Sequence, residues 1–253
     1  TIEFRGSIDV WTFTPRRNLD ALFADPSLAA ATVNTAVFVA VAVAVEMLAG
    51  LALALVVGGM RRGKALMRTI MIVPILVPPV AIGSMFKLLY NHDFGAFNQI
   101  LAVFGVAPVS WLGSTALALW SVVLVDIWHW VPFVFLILFA AVEGLPRDVL
   151  EAGRVDGADR WQLLRHVTLP LLAPAIAVAL LFRAILAFKA FDEVFLLTGG
   201  GPGTSSELLS LHLYRVFFEQ NQLGYGALLS VLTIVAVLSL LAVGRAAAGR
   251  RAR

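Results

Sequence analysis

Several ionisable side chains stand inside or beside long apolar runs: Glu46, Asp126, His129, Arg183, Lys189, Asp192 and Glu193. Charge among apolar neighbours is costly, so each is a functional candidate by default. Asp126 and His129 lie one helical turn apart, beside Trp128 and Trp130. Indole rings can stack on sugar faces while Asp126, His129 and Arg183 supply hydrogen bonds. Carriage of protons by Asp126, His129 or Glu46 is the second chemistry such a set allows. Packing is the third reading: Lys189 and Glu193 are spaced for an i,i+4 pair, and Glu46 suits a bond to a neighbouring helix.

Other chemistries fall away. The stretch TGGGPGTSS, residues 198–206, lacks the Gly-Lys-Ser/Thr ending of a phosphate loop. Its glycines suit a loop facing another protein or a tight re-entry of the chain. His92, His129, His166 and His212 lie on different segments, so no metal cluster is expected. The chain has no cysteine, which excludes disulfides and thiol catalysis. No nucleophile–base pair can be argued, and no cofactor is expected in this chain.

Elements must position these residues, and composition says in what solvent. Of 253 residues, 60% are hydrophobic and 14% charged, with mean hydropathy +0.90. Soluble domains carry about 25% charged residues, so the excess apolar surface calls for lipid. The formal charge of +3 is not gathered on one face or tail, which argues against a nucleic-acid partner. Five segments have the length and apolarity of membrane spans: about 30–57, 69–90, 115–142, 171–197 and 224–243. Pro74, Pro78 and Pro79 interrupt the second. The expected fold is an all-α polytopic transmembrane bundle, one membrane domain over 1–253.

Lys and Arg set its orientation. Arg61, Arg62, Lys64, Arg68, Arg147, Arg154, Arg160, Arg165, Arg245, Arg250, Arg251 and Arg253 alternate to one side. Only Arg5, Arg16, Arg17 and Arg215 fall on the other. The first group is cytoplasmic by the positive-inside rule. Residues 1–29 are then an extracytoplasmic connection and the C-terminus is inside. An odd number of spans starting outside, with Thr1 in place of Met, leads us to expect a first helix before Thr1. Phe94, Phe97, Ile100, Leu101 and Phe104 recur at helical spacing, as in a short interfacial helix outside.

Between the third and fourth spans lies EAGRVDGADRWQLLRHVTLP, residues 151–170, inside a loop over 143–170. Asp148 can cap a helix that Gly157 ends, and Asp159 can cap a second through His166. The first helix carries Ala152, Gly153, Gly157 and Ala158, flanked by Glu151, Arg154 and Asp156. Small residues let a backbone lie close against another surface, so such an elbow can enter a groove on a partner. Trp161, Leu163 and Leu164 would anchor the second helix near the membrane. The plain alternative is an amphipathic loop on lipid headgroups.

The spacing Glu151-Ala152-Gly153, three residues, Gly157, nine residues, Val167, one residue, Leu169-Pro170 resembles the EAA loop of binding-protein-dependent ABC importer permeases. Gly153 and Val167 depart mildly from that pattern, where Ala and Ile stand. Residues 18–38, 93–101, Trp111-Leu112, 126–133 and 191–204 resemble the carbohydrate-uptake branch, on its maltose-permease-like side. The resemblance implies a cell-membrane subunit of an ATP-driven importer of a carbohydrate or polyol. It implies an ATPase partner, as two subunits or a homodimer, that binds ATP and Mg. Glu151, Ala152, Gly153, Asp156, Gly157, Ala158, Leu169 and Pro170 would then form the ATPase-coupling loop. A second permease, favoured as a different chain, and an extracytoplasmic binding protein complete the set. An ion-coupled secondary transporter and a non-transporting scaffold remain the rivals.

Overall fold

The computed structural model describes residues 15–251, and its regular elements are all helices. In chain order they are α1 Pro15–Ala24, α2 Pro26–Gly59, α3 Lys64–Leu76, α4 Pro79–Leu89, α5 Ala96–Val103 and α6 Ala118–Glu143. Then come α7 Arg147–Val155, α8 Arg160–Leu163, α9 Leu169–Phe188, α10 Asp192–Leu197, α11 Leu209–Tyr214 and α12 Leu223–Arg251. Short π-helical turns, Leu164–Thr168 and Arg215–Glu219, lead into α9 and out of α11. Among the described residues Pro26–Gly59, Ala118–Glu143 and the run Arg160–Leu197 are long and apolar enough to cross a membrane. Arg5, Thr1 and Arg253, used for orientation, lie outside the described residues.

Two expected spans differ from single helices. Segment 69–90 divides into α3 and α4, with the break at Val77 and Pro78; Pro74 stays inside α3. Proline at 79 takes the first helical position, where its missing N–H has no partner to lose. Segment 171–197 divides at Lys189–Phe191, between α9 and α10. Lys189 and Glu193 therefore do not share a continuous helix, as the expected i,i+4 spacing assumed.

The chain forms two compact units. Among the described residues, one contains 15–41, 78–126 and 185–242; the other contains 42–77, 127–184 and 243–251. In the first, Asp25 starts α2: its Oδ1 accepts from the N–H groups of Ser27 at 2.9 Å and Leu28 at 3.1 Å. Its Oδ2 accepts from the Tyr225 hydroxyl at 3.0 Å and faces His212 Nε2 at 3.2 Å. The other His212 nitrogen faces Glu207 at 3.0 Å, and Arg215 donates to Glu207 at 2.6 Å and to the Gly199 carbonyl. Asn34 on α2 donates to the carbonyls of Thr204 and Glu207. The Gly-rich stretch is thus tied down on several sides. Gly199, Gly200 and Gly203 have positive φ there. On the same unit, Asn98 of α5 holds Val109 and the Trp111 indole, while Tyr90, Phe97 and Trp111 rings cluster within 6.3 Å of one another.

In the second unit the core joins α2, α6 and α9: Ala54, Val57, Val134, Phe135, Leu138, Phe139 and Ala179 are buried together. Gly50, Ala54 and Gly58 recur every four residues on α2, the small-residue stripe that lets helices approach closely. A Cβ on Gly50 would sit 2.6 Å from Val134 Cγ1 and 3.0 Å from the Phe135 nitrogen. A Cβ on Gly58 would sit 2.5 Å from Val142.

Two outcomes follow from this packing. Gly50→Ala should destabilise the purified protein by about 1–3 kcal/mol. Gly59→Ala, whose Cβ meets nothing within 4 Å, should not; thermal unfolding in detergent compares them. The second concerns Asp25. Burial would raise its pKa, but the Leu28 N–H, the Tyr225 hydroxyl, His212 and the Ser27 N–H together hold it below the ordinary 3.8. A depressed folded-state pKa contributes stability above the ordinary aspartate value and loses it as pH falls below 3.8. Asp25→Asn keeps a capping oxygen but cannot titrate. In unfolding measured against pH, the acid-side decline should be shallower for this variant than for the native chain.

Candidate functional site

The elbow between α6 and α9 belongs wholly to the second unit. Pro146 takes the residue before α7, with φ −62° and ψ 117° and no side-chain cap. Asp148, expected as the cap, lies instead in the first turn. The proline leads the chain into the helix two residues early, and the carboxylate stands in the first turn, at the helix's positive end. At the other end Gly157 has φ +82°. Its N–H donates to the Arg154 carbonyl at 3.1 Å, and the Ala158 N–H donates to the Gly153 carbonyl at 3.0 Å. These are the paired bonds of a Schellman end, whose left-handed residue favours glycine. A Cβ on Gly157 would meet nothing within 4 Å. Backbone handedness, rather than a close neighbour in this chain, explains the residue.

Gly153 has a different task from the one its spacing suggested. A Cβ there would approach Leu163 Cδ2 to 2.8 Å, and Leu163 is buried. Gly153 therefore seats α8 on α7 and turns inward, and Leu163 anchors α8 to α7. Ala158 is half-buried. Trp161, expected as a membrane-proximal anchor, is 77% exposed, and Val155 is 87% exposed. Glu151, Ala152, Arg154, Asp156 and Gly157 are exposed with them. The outer face thus offers apolar contacts ringed by both signs of charge.

The second arm of the elbow is shorter than expected. Asp159 caps α8 as foreseen, with Gln162 reciprocating at 2.8 Å each way. After four residues α8 widens into the π turn, where the Leu169 N–H reaches back to the Leu164 carbonyl. Pro170 has no N–H to donate and its ring crowds the carbonyl four residues back. A wider turn just before it relieves that crowding. Leu169 and Pro170 are then the first residues of α9, so the elbow runs into the apolar helix without a break.

The buried candidates separate into distinct environments. On α6, Asp126 is 1% and His129 3% exposed, whereas Trp128 is 41% exposed on another side of the helix. Trp130 packs edge-on against Phe133 with ring centroids 5.6 Å apart. Arg183 on α9 and Glu46 on α2 are both fully buried and form an ion pair: Nη2 to Oε1 is 2.9 Å, and Nε to Oε2 is 2.5 Å. The Arg183 guanidinium also lies 5.0 Å from the Trp130 ring centroid. The packing reading thus holds for Glu46, whose partner the sequence did not name. Removing one member of such a pair leaves an uncompensated buried charge, at a cost of about 3–5 kcal/mol.

One feature of the first unit had no signal in the sequence. A cavity of about 510 Å³ is lined by Lys189, Phe191, Tyr214, Phe217, Ser230 and Thr233, among others. Its walls come from α9, α11 and α12 and from the break after α9, so only folding assembles them.

Known proteins resemble this chain over most of its length. The sequence profile of the family described as binding-protein-dependent transport system inner membrane component matches residues 46–251. The trehalose/maltose transport system permease protein MalF of Thermococcus litoralis is 38% identical over 208 residues, which is 82% of this chain and 70% of that protein. The trehalose transport system permease protein SugA of Mycobacterium tuberculosis is 35% identical over 220 residues, 85% of this chain and 70% of that one. In fold, the chain is similar to a bacterial ABC transporter involved in the import of the acidic polysaccharide alginate. There the TM-score is 0.86 at 21% identity, covering 94% of this chain and 84% of the other. By the extent of these matches, the chain is a multi-pass membrane protein that belongs to the binding-protein-dependent transport system inner membrane component family.

Proposed function

We propose that this chain is the membrane-spanning subunit of an ATP-driven importer for a carbohydrate or polyol. An extracytoplasmic protein delivers the solute, a second permease subunit of different sequence completes the path, and separate ATPase subunits bind and hydrolyse ATP with Mg. The chain itself hydrolyses nothing. Relatives named for trehalose, maltose and sulfoquinovosyl glycerol support the solute class. A solved relative in complex with an alginate pentasaccharide-bound periplasmic protein supports the delivery partner. The distribution of Lys and Arg supports a cytoplasmic elbow and C-terminus.

The observation that carries the proposal is the outer face of the elbow. It is held rigid from within by the glycine-terminated end of α7 and the Gly153–Leu163 contact, yet Val155 and Trp161 are left uncovered. An apolar centre inside a mixed-charge rim is the usual plan of a protein contact. Glu151, Asp156 and Arg154 fix its register, and Ala152 with Gly157 keeps one side low enough for close approach. Within the membrane, Asp126, His129 and Trp130 are proposed to face the solute's path, with Arg183 acting there through the ring it holds.

Glu151→Arg combined with Gly157→Trp reverses a rim charge and strains the left-handed turn. This double variant should still insert in the membrane, lose co-purification of the ATPase and cut ATP-driven uptake by tenfold or more, the scale of losing about 1.4 kcal/mol of contact. Unchanged co-purification and uptake would refute the docking role.

A further inference from the structure

Glu46, Trp130 and Arg183 stand on three different helices, α2, α6 and α9, of the unit that also carries the elbow. From the elbow, the path along α8, the π turn and α9 is helical without interruption to Phe188. From Leu169 to Arg183 this covers about 21 Å at the ordinary helical rise of 1.5 Å per residue. A helix of that length transmits a push along its axis.

What such a push would do depends on whether α9 can slide on its neighbours. Apolar side chains exchange one contact for another during a slide, at little cost. A fully buried ion pair cannot: moving either helix by an ångström or two opens contacts of 2.5 and 2.9 Å and leaves two charges without water. Trp130 ties α6 to the same guanidinium, and the close approach at Gly50 ties α2 to α6. We infer that Glu46, Arg183 and Trp130 form a clamp. It locks α2, α6 and α9 into one lever, so that elbow movement reaches all three helices together. Glu46 and Arg183 are thus positioning residues for energy coupling. This rests on the elbow being the ATPase contact.

The test uses the full importer, with its ATPases, second permease and binding protein, in liposomes. The chain has no cysteine, so Arg165→Cys on the elbow and Leu48→Cys on the exposed side of α2 can carry spin labels. ATP-driven, binding-protein-dependent uptake by the labelled complex verifies the importer reading; its absence overturns that reading and the clamp with it. With uptake present, the clamp requires the same interlabel distance in the nucleotide-free and ATP-trapped states. A distance that changes between them overturns the clamp alone. Glu46→Gln should split the distance between states and raise ATP hydrolysed per solute imported about fivefold or more, the low end of ordinary site-to-site coupling. Native distances with a native ATP-to-solute ratio in this variant would overturn the clamp. Should Glu46→Gln fail to assemble, Glu46→Leu with Arg183→Met, which buries no charge, takes its place. Native coupling there would likewise overturn it.

Discussion

The Glu46–Arg183 pair is held with both side chains sealed from solvent, and that exclusion governs much of the second unit. A membrane protein gains little from burying one apolar surface against another, because lipid already satisfies it. Specific helix registers must come from close backbone approach or from polar contacts. Both devices are present on α2: Gly50 and Gly58 admit α6, and Glu46 binds α9. The elbow is built on the same body, so its attitude is set by the helices beneath it.

The first unit uses polar contacts for another purpose. Several of its helices are short, and each interruption frees backbone groups that need partners. Thr198 and Ser206 take up part of that demand within the Gly-rich stretch, and Asn34 and Thr35 reach across from α2 to hold its far end. Asp25, His212, Glu207 and Arg215 continue the chain of charges to Tyr225 on α12. Irregular backbone there survives because side chains from regular helices answer it.

Much of the elbow was legible in advance. Glycine at 157 and Asp159 with Gln162 three residues later are local signals, so the turn and the cap of α8 could be read from neighbours in sequence. Asp148 misled because Pro146 offered an equally good start, and local rules do not rank the two. Gly153 misled more deeply. Its smallness is explained by Leu163, ten residues on, and only the fold shows which side of α7 that residue meets. The ionisable residues in the spans announced themselves by their cost, but not their partners: Glu46 and Arg183 are separated by 137 positions. The cavity beside Lys189 was invisible for the same reason, since its walls are scattered along the chain.

The central claim is that a rigid elbow on the cytoplasmic side is the handle by which separate ATPases move this protein. Labelling of an Asp156→Cys variant with a membrane-impermeant thiol reagent tests it most directly, in sealed vesicles of both orientations. The account predicts modification in inside-out vesicles only, and protection of that cysteine when the ATPase is bound. Modification in right-side-out vesicles, or equal modification with and without the ATPase, would contradict it.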